Sequence, residues 1–122
     1  MSSTQAERRA LGDYGERLAA AHLAAKGFVI LDRNWRCSAG EIDVVAADGD
    51  TLVVCEVKTR SGSGFGTPFE AITTAKAGRL HRLGWMWVKH HHVRCAALRV
   101  DVVAIVRASG GGFTIDHIVG VA

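Results

Sequence analysis

Two short stretches of this sequence carry groups able to do chemistry together. Glu41 and Asp43 stand in Gly40-Glu41-Ile42-Asp43, and Glu56 and Lys58 stand in Glu56-Val57-Lys58-Thr59-Arg60. Ile42–Ala47 and Thr51–Thr59 are runs rich in β-branched residues, and Asp48-Gly49-Asp50 separates them. That pattern predicts a β-hairpin. With Gly49 and Asp50 as a two-residue loop, Asp48 faces Thr51, Asp43 faces Glu56 and Glu41 faces Lys58. Opposed residues share a face, as do residues two apart on one strand. One face therefore gathers Asp43, Glu56 and Lys58. A three-residue loop would slip the register by one and send Asp43 to the other side.

Two carboxylates brought close on an otherwise apolar ribbon repel, and one of them tends to stay protonated. A divalent cation removes the conflict. Mg²⁺ prefers oxygen ligands, typically one or two carboxylates completed by water and substrate phosphate. A lysine beside such an ion positions a water or neutralises charge growing on a phosphate. The plainer alternative is an ion pair of Lys58 with Glu41 or Glu56. The apolar neighbours Val44, Val45, Val53 and Val54, and the third acid, weaken it.

Other segments must position these groups. Residues 5–26 read as a helix, with Leu11, Tyr14, Leu18, His22 and Ala25 on one face and Gly27 as its stop. Phe28–Leu31 reads as a short strand and Asp32–Gly40 as a polar loop. Pro68 precedes a second helix over Phe69–Lys89, and Leu98–Val106 and Phe113–Val119 are further strands. The expected order is α-β-β-β-α-β-β, a mixed α/β fold. The chain has 122 residues, 48% apolar and 22% charged, which fits a single domain over 1–122 and argues against a disordered tail. No apolar run approaches a membrane span, and the polar N-terminus lacks the apolar core of a secretory signal. Both point to the cytoplasm, with no membrane partner. Three cysteines without a C-x-x-C pair argue against a disulfide framework or a zinc knuckle. Residues 1–56 hold six Lys/Arg against nine Asp/Glu (net −3), and residues 57–122 hold nine against three (net +6). Such a division suits a cation site beside an anionic polymer, although small samples of charge are often lopsided.

Four further groups bear on function. Glu16 lies on a helix flank with Gly12, Ala19 and Leu23, small neighbours that let it approach a sheet; an exposed Glu paired with an Arg explains it equally well. Lys76 falls within the apolar stripe of Ile72, Leu80, Leu83 and Trp87, where a lysine either snorkels or reaches an acid or a phosphate. Arg36, Arg60, Arg79 and Arg82 are candidate phosphate contacts, Arg60 foremost because it continues the Glu56–Lys58 face. Trp85 lies opposite the stripe of its helix, an expected contact surface, with a homodimer one form of it.

These residues resemble a known family. Gly40-Glu41-Ile42-Asp43 followed by Glu56-Val57-Lys58 is similar to the PD-(D/E)XK nuclease pattern, and nearest to the YraN-like family, related to archaeal Holliday-junction resolvases. The resemblance extends to Gly15-Glu16, Asn34-Trp35-Arg36, Phe65-Gly66, Lys76, Arg99-Val100-Asp101 and Asp116-His117-Ile118. Val54-Cys55 stands where the family usually has phenylalanine-valine. The resemblance implies a restriction-endonuclease-like fold, a central mixed β-sheet flanked by helices. It also implies Mg²⁺, with Mn²⁺ as a substitute, held by Asp43, Glu56 and the Val57 carbonyl. Lys58 then orients the attacking water, Glu16 joins as an auxiliary acid, and the reaction is phosphodiester hydrolysis in DNA, including branched or structured DNA. The alternative is a non-catalytic nucleic-acid-binding or interaction module that retains the fold.

Overall fold

The structure, a computed structural model, describes residues 4–61 and 72–121. Helix α1 spans Gln5–Ala25, and strands β1, β2 and β3 span Val29–Cys37, Gly40–Asp48 and Thr51–Ser61. Helix α2 spans Thr74–His91, followed by β4, Ala97–Arg107, and β5, Phe113–Ile118. The expected order of elements is observed. Phe65-Gly66, Pro68 and the expected first turn of the second helix, Phe69 to Ala71, lie outside the described residues.

The five strands form one sheet in the order β1-β2-β3-β4-β5. Neighbours are antiparallel except β3 and β4, which run parallel. The connection carrying α2 accounts for that exception, because a parallel pair needs a long crossover. Helix α1 covers one face of the sheet, where Ala19 and Leu23 pack with Val44, Cys55, Val103 and Ile105. Helix α2 covers the other, where Leu80, Leu83 and Trp87 pack with Ile42, Val45, Leu52, Val54 and Val100. This is the restriction-endonuclease-like arrangement, a mixed sheet between helices. No helix among the described residues is long and apolar enough to cross a membrane.

Three local readings change. The polar stretch after Leu31 is no loop: β1 continues to Cys37 as an edge strand paired with β2. Arg33, Asn34 and Arg36 are exposed, while Trp35 and Cys37 pack against the cluster under α2 and Asp32 meets the Trp87 indole N–H, so polarity marked an edge and not an irregular segment. Helix α2 begins at Thr74, where Thr73 caps it by accepting the Lys76 N–H at 3.1 Å.

The third change concerns α1. Its buried line is Gly15, Ala19 and Leu23, not the face through Tyr14 and Ala25; Tyr14 is exposed. Small residues face the sheet because the helix lies close against β3. A Cβ at Gly15 would stand 2.9 Å from both Cβ and Cγ2 of Thr59. Thr59 is β-branched and has little rotamer freedom to yield.

Two alanine substitutions test this close approach. Gly15→Ala is expected to cost about 1–3 kcal/mol through overpacking, more than its helix propensity returns. Gly12→Ala, three residues away in open space, is expected to stabilise by up to about 1 kcal/mol. Urea unfolding of the two variants reads the difference, and equal shifts would show that α1 does not press on Thr59.

Candidate functional site

The hairpin turns as its sequence requires. Gly49 has φ 59°, and Asp48 pairs with Thr51. Pairing continues outward to Val44 opposite Cys55 and ends there, so the expected ladder pairs Asp43–Glu56 and Glu41–Lys58 are not formed. At Asp43 the ladder gives way: its Oδ2 accepts the Val57 N–H at 2.8 Å. A side chain thus takes the backbone donor that the next carbonyl of β2 would otherwise meet, and the two strands part.

The same place marks a change of face. Ile42 and Val45 both pack under α2, although three residues on a regular strand would separate them. On β1, Trp35 packs into that cluster, and Asp32, three residues before it, accepts the Trp87 indole N–H at 2.8 Å. Between Asp32 and Trp35 lies Asn34, at φ 53°, a left-handed conformation that asparagine tolerates better than most residues. Alternation is therefore broken in both strands, at Asn34 and at Asp43.

Glu56 is nearly buried, at 8% exposed, on the face toward α2. Its Oε1 lies 3.3 Å from Lys58 Nζ and 2.9 Å from Lys76 Nζ. The lysine in the apolar stripe does reach the acid. A small cleft of about 220 Å³ opens there, lined by Asp43, Glu56, Lys76 and Arg79 among others. A larger one of about 590 Å³ lies toward α1, where Asp43, Val57 and Lys58 meet Glu16, Asn34 and Arg36. Asp43 and Glu41 belong to both walls. Burial, then the charge of Glu56, push the Asp43 carboxyl up to about 7, against the opposing bond from Val57. Burial also raises the Glu16 carboxyl, with the nearby Arg33 charge opposing it.

Of the expected site residues, Asp43, Glu56 and Lys58 are brought together, and Glu16 joins them across the larger cleft. Arg36 lines that cleft and pairs with Glu41 at 3.2 Å. Arg60 is exposed near the end of β3. Arg82 lines a separate groove with His81 and Arg99, away from the acids. Trp85 is exposed, as its place on the helix predicts. Asn34 is the residue whose part the pattern did not show. With its amide nitrogen turned toward Glu16, it donates to both carboxylate oxygens at 2.7 and 3.1 Å. Read as part of a polar loop, it gave no signal of its own beyond its place in Asn34-Trp35-Arg36.

Among the described residues no group of three His, Cys, Asp or Glu side chains is placed to hold a metal ion. That holds also for His90, His91, His92 and Cys95; His91 instead stacks on Trp87 with centroids 4.2 Å apart. A two-carboxylate set is nonetheless suited to Mg²⁺, which keeps several waters. Asp43 commits Oδ2 to Val57 and Glu56 commits Oε1 to two lysines, so the second oxygen of each takes no part in these bonds.

The model of a family described as "Uncharacterised protein family UPF0102" matches residues 15–105, from Gly15 in α1 to Ile105 in β4. The chain is 53% identical over 120 residues to a UPF0102 protein of Nocardioides sp., covering 98% of this chain and 97% of the relative. It is 52% identical over 111 residues to one of Arthrobacter sp., covering 91% and 94%, and 48% identical over 130 residues to one of Acidothermus cellulolyticus, covering 98% of each. The matched stretch spans the hairpin and both helices' contacts with it, and the chain belongs to the UPF0102 (YraN) family.

Proposed function

We propose that this protein is a divalent-cation-dependent endonuclease acting on DNA. The observation that carries the reading is the meeting of Asp43, Glu56 and Lys58 where β2 and β3 part, beside a cleft with arginine on its rim. Asp43 and Glu56 would hold Mg²⁺ or Mn²⁺, with the Val57 carbonyl oxygen, at the same point of β3, as the main-chain ligand. A cation bound there supplies water activation and charge neutralisation at a phosphodiester.

The chain's own groups have distinct tasks. Lys58 stands beside Glu56 and orients a water or stabilises charge on the phosphate. Glu16, held by Asn34 and kept more basic than usual by burial, accepts a proton from that water or orients it. Arg36 on the rim and Arg79 at the smaller cleft hold flanking phosphates. Branched or structured DNA is the favoured substrate class, on the strength of the resemblance to junction resolvases. One observation favours the second reading, a module that binds without cutting: Glu56 is already neutralised by two lysines.

Pure protein incubated with linear, flapped and four-way DNA separates the two. The nuclease gives products with Mg²⁺ or Mn²⁺ and none with EDTA, and Glu56→Ala and Lys58→Ala each lower the rate by at least about 10²-fold. Cleavage that survives in EDTA or in Glu56→Ala refutes this site, and tight binding without products under every condition selects the module.

Asp43 also sets a pH dependence of stability. Its folded carboxyl, near 7, is raised above the ordinary value of 3.8. The unfolded chain gives up this proton first, so the contribution is full below about pH 4 and is lost as pH rises toward 7. Asp43→Asn keeps an oxygen for the Val57 N–H and removes the charge. Without added metal, it is expected to be more stable than the parent at pH 8, by on the order of 2 kcal/mol, with the advantage gone at pH 4. Urea titrations at the two pH values measure this; an advantage equal at both would deny the raised carboxyl.

A further inference from the structure

We propose that the Lys76 ammonium holds the place of the cation on Glu56, so that the Lys76–Glu56 pair and a bound divalent ion exclude one another. This rests on the reading of Asp43 and Glu56 as a cation site. Glu56 is nearly buried, and a buried carboxylate left without a partner is costly. Two ammonium groups now share its Oε1, at 2.9 Å from α2 and 3.3 Å from its own strand. Even with Asp43 ionised as well as Glu56, Lys58 and Lys76 already make the cluster neutral. A dication entering beside both lysines would set four positive charges against two negative.

Of the two lysines, Lys76 is the one built to leave. Lys58 is two residues from Glu56 on β3, and the strand fixes it on the same face. Lys76 stands in the first turn of α2, where the helix terminus is itself positive and disfavours a cation. That turn holds no acidic residue. The ion pair with Glu56 is what offsets this placement. The cleft of about 220 Å³ that Lys76 and Arg79 line gives its four-carbon stem somewhere to swing. Once displaced, the ammonium is free to meet the phosphate that accompanies the cation, so anion and cation favour each other's binding through this residue.

The test is Mn²⁺ affinity without DNA, read from the paramagnetic resonance of free Mn²⁺, for the parent, Lys76→Met, Glu56→Gln and the double variant. Lys76→Met is expected to bind Mn²⁺ roughly five- to tenfold more tightly than the parent, and Glu56→Gln to abolish the gain. Lys76→Gln, read alongside circular dichroism, gives the same result should the methionine variant fold poorly. If the parent binds Mn²⁺ through Glu56 and neither Lys76 variant binds more tightly, the exclusion is wrong and the cation site stands. If no variant shows Glu56-dependent binding, both are overturned.

Discussion

The bond from the Val57 N–H to Asp43 Oδ2 is the contact on which the site depends. A backbone donor left unpaired in a half-buried strand costs about 1–3 kcal/mol. Here the main-chain pairing of β2 and β3 stops after Val44 and Cys55, and the donor is met by a side chain. That substitution does three things at once. It fixes one oxygen of Asp43, it lets the two strands diverge, and it brings Asp43 between the clefts that open on either side. With a carbonyl in its place the ribbon would stay closed, and the acids would lie against a filled sheet.

Much of this was legible in the residues, for reasons of periodicity. A two-residue turn with glycine at positive φ fixes the pairing from Asp48 with Thr51 out to Val44 with Cys55, and Glu56 and Lys58 share a face by their spacing; Asp43 lies beyond the end of that ladder and reaches the site through its bond to Val57. Lys76 was legible because a charge within an apolar stripe needs a partner, and Glu56 is that partner. What periodicity does not carry is a break in it. The change of face at Asn34 and Asp43 arises from a left-handed residue in one strand and a side-chain acceptor in the other. Neither has a repeating signature. The polar run of β1 read as a loop because an edge strand owes less to burial than to pairing. The face of α1 was misjudged because its contact with β3 is made by the smallest residues, Gly15 and Ala19, whose value is closeness and not apolar bulk.

Two aspartates in the same sheet show how environment divides one residue type between structure and chemistry. Asp101 is fully buried. It receives Arg99 through two nitrogens at 2.8 and 3.1 Å, His117 at 2.8 Å and the Gly120 N–H at 2.9 Å. Burial pushes its carboxyl up, but the bonds from Arg99, Gly120 and His117 outweigh that and hold it below the usual range. Such a group ties β4 to β5 and to the segment after it. Asp43 has a backbone donor and a carboxylate neighbour, and its carboxyl is driven up to about 7. Its charged form is poorly compensated, even though its Oδ2 serves the fold by meeting the Val57 N–H. Carboxyls raised by burial and a like charge gather at functional sites, and structural networks also produce them.

The position of that site follows from the topology. In α/β sheets, the space beyond the carboxyl ends of parallel strands is where a crossover helix begins and where ligands are met. Here the one parallel pair is β3 with β4, and α2 lies on the crossover between them. Glu56 sits at the midpoint of β3 and Lys58 in its carboxyl half, and the first turn of α2 reaches Glu56 through Lys76. The antiparallel hairpin delivers Asp43 to the same end from the opposite side. Helix α1, pressed to Thr59 by Gly15, carries Glu16 over the larger cleft. Each arrival is made by a different device: a turn, a crossover and a close helix contact.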